Sequence, residues 1–165
     1  MKRIAPLTLS VLALLLLAAC SPSFSTSVGA FSTPIGNSLG RICWQEVDAS
    51  GAPPISTATF RANATYNAGA LAVTDRVELR FFGRLREPEA ECTDGDSSAN
   101  IVLSEPFELE RETAQEIEVG GENYGSSLAD LVNQGTFWLG ASAAGNIAIG
   151  EESVLFEDGT IFVGF

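Results

Sequence analysis

Arg76-Val77-Glu78-Leu79-Arg80-Phe81-Phe82-Gly83-Arg84-Leu85-Arg86 alternates two kinds of side chain along nearly its whole length. Val77, Leu79, Phe81, Gly83 and Leu85 fall on one face; Glu78, Arg80, Phe82, Arg84 and Arg86 fall on the other. Successive side chains of an extended strand point to opposite faces, so a period of two describes a strand with one face in a core and one in water. A helix would instead gather its apolar residues three and four apart.

The same period recurs upstream. Ala58, Phe60, Ala62, Ala64 and Tyr66 share one face, with Thr57, Thr59, Arg61, Asn63 and Thr65 on the other. Shorter runs of strand character follow at residues 101–103, 107–109, 117–119, 136–139, 147–149, 154–156 and 160–165, and an earlier one lies at 41–47. Asp158-Gly159 between two apolar runs signals a hairpin. One segment departs from this pattern. Ser127-Leu128-Ala129-Asp130 has capping-box form, Leu128, Leu131 and Val132 stand at helical spacing, and Gly135 follows. This predicts a single helix of about eight residues. The expected fold is all-β: one β-sandwich over residues 41–165, immunoglobulin-like by analogy only, with one short helix. A small outer-membrane barrel is the rival, since the chain ends in Phe165 on an alternating run. Most runs are nevertheless shorter than the ~9–11 residues a spanning strand needs.

Ahead of this domain the composition changes. Lys2 and Arg3 open the chain, residues 7–17 are an apolar run, and Leu17-Ala18-Ala19-Cys20 closes it. The run is too short for the ~20 residues of a membrane-spanning helix and reads as a removable signal over residues 1–19. Its ending resembles the lipobox of bacterial lipoprotein precursors. That resemblance covers the first twenty residues. It implies cleavage before Cys20, a diacylglyceryl group on the Cys20 sulfur, and a protein held by lipid on the extracytoplasmic face of a membrane. Ser21 in place of Asp favours the outer membrane where the source has two. Residues 20–40 follow as the lipidated cysteine and a tether rich in Ser, Thr, Gly and Pro. Phe24, Val28 and Phe31 give part of it the means to pack as an edge strand.

Without Lys2 and Arg3 the chain keeps seven basic residues, all arginine, against twenty-one acidic ones, a formal charge of −14 against −12 for the full chain. Such a body is repelled by nucleic acid and by anionic head groups, so membrane attachment falls to the lipid. There is no histidine, which excludes Ser-His-Asp and Cys-His nucleophile systems and the common zinc sites. With Cys20 acylated, Cys43 and Cys92 remain as a pair in an oxidising compartment and read as a disulfide.

Three groups of residues invite a functional reading. Arg76, Arg80, Arg84 and Arg86 share one strand face with Phe82 among them, and suit docking of an anionic group on a glycan or another envelope protein. The competing reading pairs them with acids of a neighbouring strand, such as Glu108 and Glu110 or Glu116 and Glu118. Glu91, Asp94 and Asp96, near Cys92, are a weak candidate for calcium, and their spacing matches no EF-hand loop. Trp44, Phe137 and Trp138 offer aromatic surface, with core packing the expected role of Trp138 and Trp44 the more open of the two tryptophans. No cofactor is expected beyond the lipid, and no catalytic constellation emerges. The chain reads as a non-catalytic envelope module for interaction or structure, with a ligand-binding lipoprotein for glycans or cations as the alternative.

Overall fold

The computed structural model describes residues 24–68, 75–95, 98–111, 113–145 and 152–164. Cys20, Asp96, Phe165 and the run at 147–149 lie outside them. Among these residues eleven strands and one helix follow in order: β1 (Ser25–Val28), β2 (Phe31–Gly36), β3 (Arg41–Asp48), β4 (Thr57–Asn67), β5 (Arg76–Arg84), β6 (Cys92–Asp94), β7 (Ile101–Val102), β8 (Phe107–Glu110), β9 (Ala114–Gly120), α1 (Gly121–Val132), β10 (Thr136–Ala144) and β11 (Ser153–Gly164).

The strands form two layers. In the first, β4 runs between β11 and the edge strand β9, while β1 and β2 line the other side of β11 in succession. In the second, β10 runs between β3 and β5; β6 extends the sheet beyond β3, and β7 and β8 pair with β5. β2 belongs to both layers, because Ile35 and Gly36 also pair in parallel with Ala143 and Ala144 of β10. The network is open, with β6 and β9 as its outer strands. The fold is thus all-β with one helix, and the strands do not close into the barrel considered as a rival.

The alternation seen in sequence is what builds the core. Ala58, Phe60, Ala62, Ala64 and Tyr66 of β4 are buried with Val77, Leu79 and Phe81 of β5. Phe81 lies at the centre, its ring 5.8 Å from Phe60 and 5.3 Å from Phe156. Apolar burial at roughly 25 cal/mol per Å² is the main stabilising term for such a core. Helix α1 closes one end of it with Leu128, Leu131 and Val132. Gly83 makes room there, since a Cβ at that position would stand 2.2 Å from Leu131 Cδ1.

Four expectations need correction. The flexible tether expected over residues 20–40 gives way to strand from Ser25, in line with the alternative that Phe24, Val28 and Phe31 offered: β1 and β2 hydrogen-bond to β11, and Val28 and Ile35 join the core. Pro34 is tolerated at β2 because it lies exposed in a strand at the seam between layers. The helix begins six residues before Ser127, at Gly121, and no side chain caps it. Gly120 and Gly121 adopt positive φ (98° and 60°), which turns β9 straight into α1 without a capping side chain. Asp158-Gly159 is not a hairpin. It is a bulge inside the single long strand β11, where the register against β4 shifts between Glu157 and Thr160. Asp158 takes a φ of 54°, and Gly159 is buried where a Cβ would meet Val28 and Phe60 at 3.0 and 3.1 Å.

The fourth correction concerns the aromatics. Phe137 and Leu139 are core, but Trp138, on the opposite face of β10, packs on an outer cluster rather than in the main core. Trp44 is the more buried tryptophan, at 5 % exposure, and Trp138 is half-buried. The Cys43–Cys92 bond is present. It joins directly opposed residues of neighbouring strands β3 and β6 within one sheet. An immunoglobulin bridge crosses between sheets, so that analogy stops here.

Candidate functional site: an arginine and aromatic face

The outer face of the second sheet is a grid set by strand register. β5 contributes Arg80, Phe82 and Arg84 to it; opposite them on β10 stand Ser142, Gly140 and Trp138. On the far side of β10, Trp44 faces Gly140 and Glu46 faces Trp138. Val102 of β7 flanks Phe82. Ile42, Trp44 and Phe82 are buried as a cluster separate from the main core, with Val102 and Trp138 packed against it.

Gly140 is what permits this packing. The Trp44 indole lies across its backbone so closely that a Cβ would stand 2.5 Å from Trp44 Cε3 and 2.6 Å from Ile42 Cγ2. The indole is fixed at its polar end, where Nε1 donates a 2.8 Å hydrogen bond to Thr93 Oγ1 of β6. The disulfide beside Thr93 holds β6 against β3, and so supports the position of that indole.

Two guanidinium groups sit over these rings. The Arg84 group lies 5.4 Å from the Trp44 ring centroid and the Arg80 group 5.5 Å from that of Phe82. Ring faces carry partial negative charge, so such stacking holds a cation at about 0.5–2 kcal/mol. The methylene stems cover the aromatics, which is why Phe82 is only 8 % exposed on an outward face. Among the described residues neither Arg80 nor Arg84 forms an ion pair, and the buried Nε of each meets no hydrogen-bond partner.

The arginine stripe therefore divides. Arg76 has the cross-strand acids anticipated for it, Glu108 at 3.0 Å and Glu110 at 4.0 Å. Arg86 lies two residues past the end of β5, in an exposed segment. Arg80, Phe82 and Arg84 remain as the stacked group. Glu116 does not reach the stripe, since β9 belongs to the other sheet, and Glu118 there pairs with Arg61 at 2.9 Å. What a planar guanidinium held on a ring can do chemically is receive a carboxylate or phosphate along its donor edge, in a geometry already fixed.

The acidic loop behaves differently. Asp94 sits opposite Arg41 in the β3–β6 pairing, and Glu91 precedes Cys92 with its carbonyl accepting from Trp44 N–H at 2.8 Å. Among the described residues no three His, Cys, Asp or Glu side chains are grouped to hold a metal ion.

A second feature has no signal in the sequence. At the seam between the layers a cleft of about 260 Å³ is lined by residues that include Glu105, Phe107, Glu118 and Tyr124. The Tyr124 hydroxyl donates to Glu105, and this bond to a carboxylate pushes the phenol above its ordinary pKa, with a small opposing effect from Arg80. Glu105 is thus engaged by Tyr124 and Glu118 by Arg61. The contact between residues nineteen apart depends on where α1 starts, which the capping pattern misplaced.

No protein-family model matches the chain, and no curated protein is significantly similar to it.

Proposed function

We propose that this chain is a non-catalytic, lipid-anchored envelope protein whose outer sheet face docks an anionic group of another envelope component. The observation that carries the docking half is the Arg80 and Arg84 pair. In a chain of strongly acidic composition, two of few cations stand on aromatic seats and form no ion pair among the described residues. A cation already surrounded by carboxylates would ordinarily be drawn to one of them. The anchoring half rests on the lipobox-like residues 17–20 and on the export they imply.

The test is a comparison of wild type with Arg84→Glu and Arg80→Glu in detergent extracts of the native membrane. Both side chains are half-buried over aromatic rings, so each variant should lose several degrees of melting temperature, and the crosslinking is done well below that transition. The reading requires that a partner crosslinked to wild type is lost from both variants. Partners retained by both would overturn it.

A second reading has a specific observation in its favour. Trp138 is half-buried beside Arg84, and a partly open indole next to a guanidinium suits a sugar ring that bears a carboxylate. Soluble acidic oligosaccharides would then raise the melting temperature, and neutral ones would not.

A further inference from the structure

We propose that the sandwich stands on the membrane by the end that carries α1, with Leu85 and Phe162 against the bilayer surface. This rests on the lipid-anchor reading of Cys20. Strand β1 begins at Ser25, five residue steps beyond that cysteine. Five steps span at most about 18 Å even when fully extended. The twelve residues of β11 run the length of the molecule, about 40 Å at the rise of an extended strand. The leash is therefore shorter than half the body it holds, and the end bearing Ser25 cannot leave the surface.

Several elements converge at that end. Ser25 is paired with Phe162, Thr57 with Gly164, and Thr136 with Asp48. Thr26 Oγ1 donates across the layers to the Asp48 carbonyl at 2.9 Å. β5 finishes there too, with Arg84 opposite Trp138 near the start of β10.

Among the described residues the large apolar side chains left exposed are Leu85, at 47 %, and Phe162, at 45 %. Single exposed apolar residues are ordinary on a protein surface. Here both lie at the end to which the leash is attached, one from each layer. Both also sit among arginines: Arg84 and Arg86 flank Leu85, and the Arg61 guanidinium lies 5.4 Å from the Phe162 ring centroid. An exposed apolar side chain with an arginine for a neighbour suits the boundary between head groups and acyl chains, although the Arg61 guanidinium is also paired with Glu118. Asp48, Glu122 and Asp130 are exposed on the elements of this same end. They limit the contact to head-group depth and direct it to zwitterionic lipid, since anionic lipid would repel them.

The experiment uses the mature lipoprotein in phosphatidylcholine vesicles, with the lipid on Cys20 verified by mass spectrometry of the same sample. A second preparation, verified likewise, carries twenty Gly and Ser residues inserted after Ser21, which lets the body stand clear. Hydroxyl-radical footprinting then compares oxidation of Leu85 and Phe162 with that of Leu155, toward the other end of β11. The proposal expects both residues to react about threefold more slowly in the native protein than in the lengthened one, with Leu155 unchanged. Equal rates in two lipidated samples would overturn the orientation and leave the anchor reading standing. A natural product with a bare Cys20 sulfur would overturn both.

Discussion

Gly140 decides what the outer face can be, because the Trp44 indole occupies the space a side chain would fill. Gly140→Ala should lower stability by about 1–3 kcal/mol, the usual cost of overpacking a fitted site. It should also shift the tryptophan emission toward the red as the indole lifts into water; urea unfolding followed by fluorescence reads both. Tyr124 gives a second residue-scale prediction. Its neutral form is favoured in the folded protein by Glu105. The stability this contributes is complete below the ordinary phenol range and is lost as pH rises through the elevated value. In an alkaline absorbance titration, Glu105→Gln should bring Tyr124 ionisation back to lower pH, and Tyr124→Phe identifies the signal. Glu152 is a third case, buried at 2 % exposure with both carboxylate oxygens lacking partners among the described residues. Replacement by Met should raise the unfolding free energy by about 1–3 kcal/mol, which chemical denaturation measures. At this scale, which face a residue takes was legible from the period of two. Which acid meets which arginine was not. Strand register sets Arg76 opposite Glu110 and diagonal to Glu108, whereas Arg80 lies past the end of the β5–β8 pairing and forms no ion pair among the described residues.

Among the elements, long strands with clean alternation were legible and the irregular joins were not. β4 and β5 announce themselves because every second residue must enter the core. β1 and β2 do so only faintly, through Phe24, Val28 and Phe31, since Ser, Thr, Gly and Pro there resemble a linker and the open flank of β11 is what makes them strands. The start of α1 was hidden for a related reason: a left-handed glycine pair replaces the side-chain cap that the eye looks for in a sequence. The Asp158-Gly159 pair is a turn signal in isolation, yet β1 and β4 on either side of β11 carry the strand straight through it. The disulfide was readable from count, once Cys20 is set aside as the expected lipidation site and two cysteines remain. Substituting both Cys43 and Cys92 by Ala should cost about 4 kcal/mol, since the bond closes a loop with a sequence separation of 49. Guanidinium unfolding of the oxidised protein and the double variant would measure it. A loss below about 1 kcal/mol would mean that hydrogen bonds from Trp44 to Glu91 and Thr93 already hold β6 in place.

For the whole molecule, the two-layer architecture followed from strand count and turn spacing, and the absence of histidine by itself narrowed the chemistry. The candidate site was legible only in outline. The arginine run pointed to the right strand face, but the grid also needs Trp44, Gly140 and Trp138 from two other strands, and nothing local links them. If Cys20 carries lipid as proposed, β1 gains a mechanical role. Any tug between the anchored end and a partner held on the opposite sheet enters the body at Ser25, along the axis of the strand. The β1–β11 ladder then bears the load in shear, with its bonds resisting together instead of opening one at a time as in a peeled hairpin. Behind it, β2 is gripped by strands of both layers, so force that breaks the first four residues free meets a second clamp before it reaches the core.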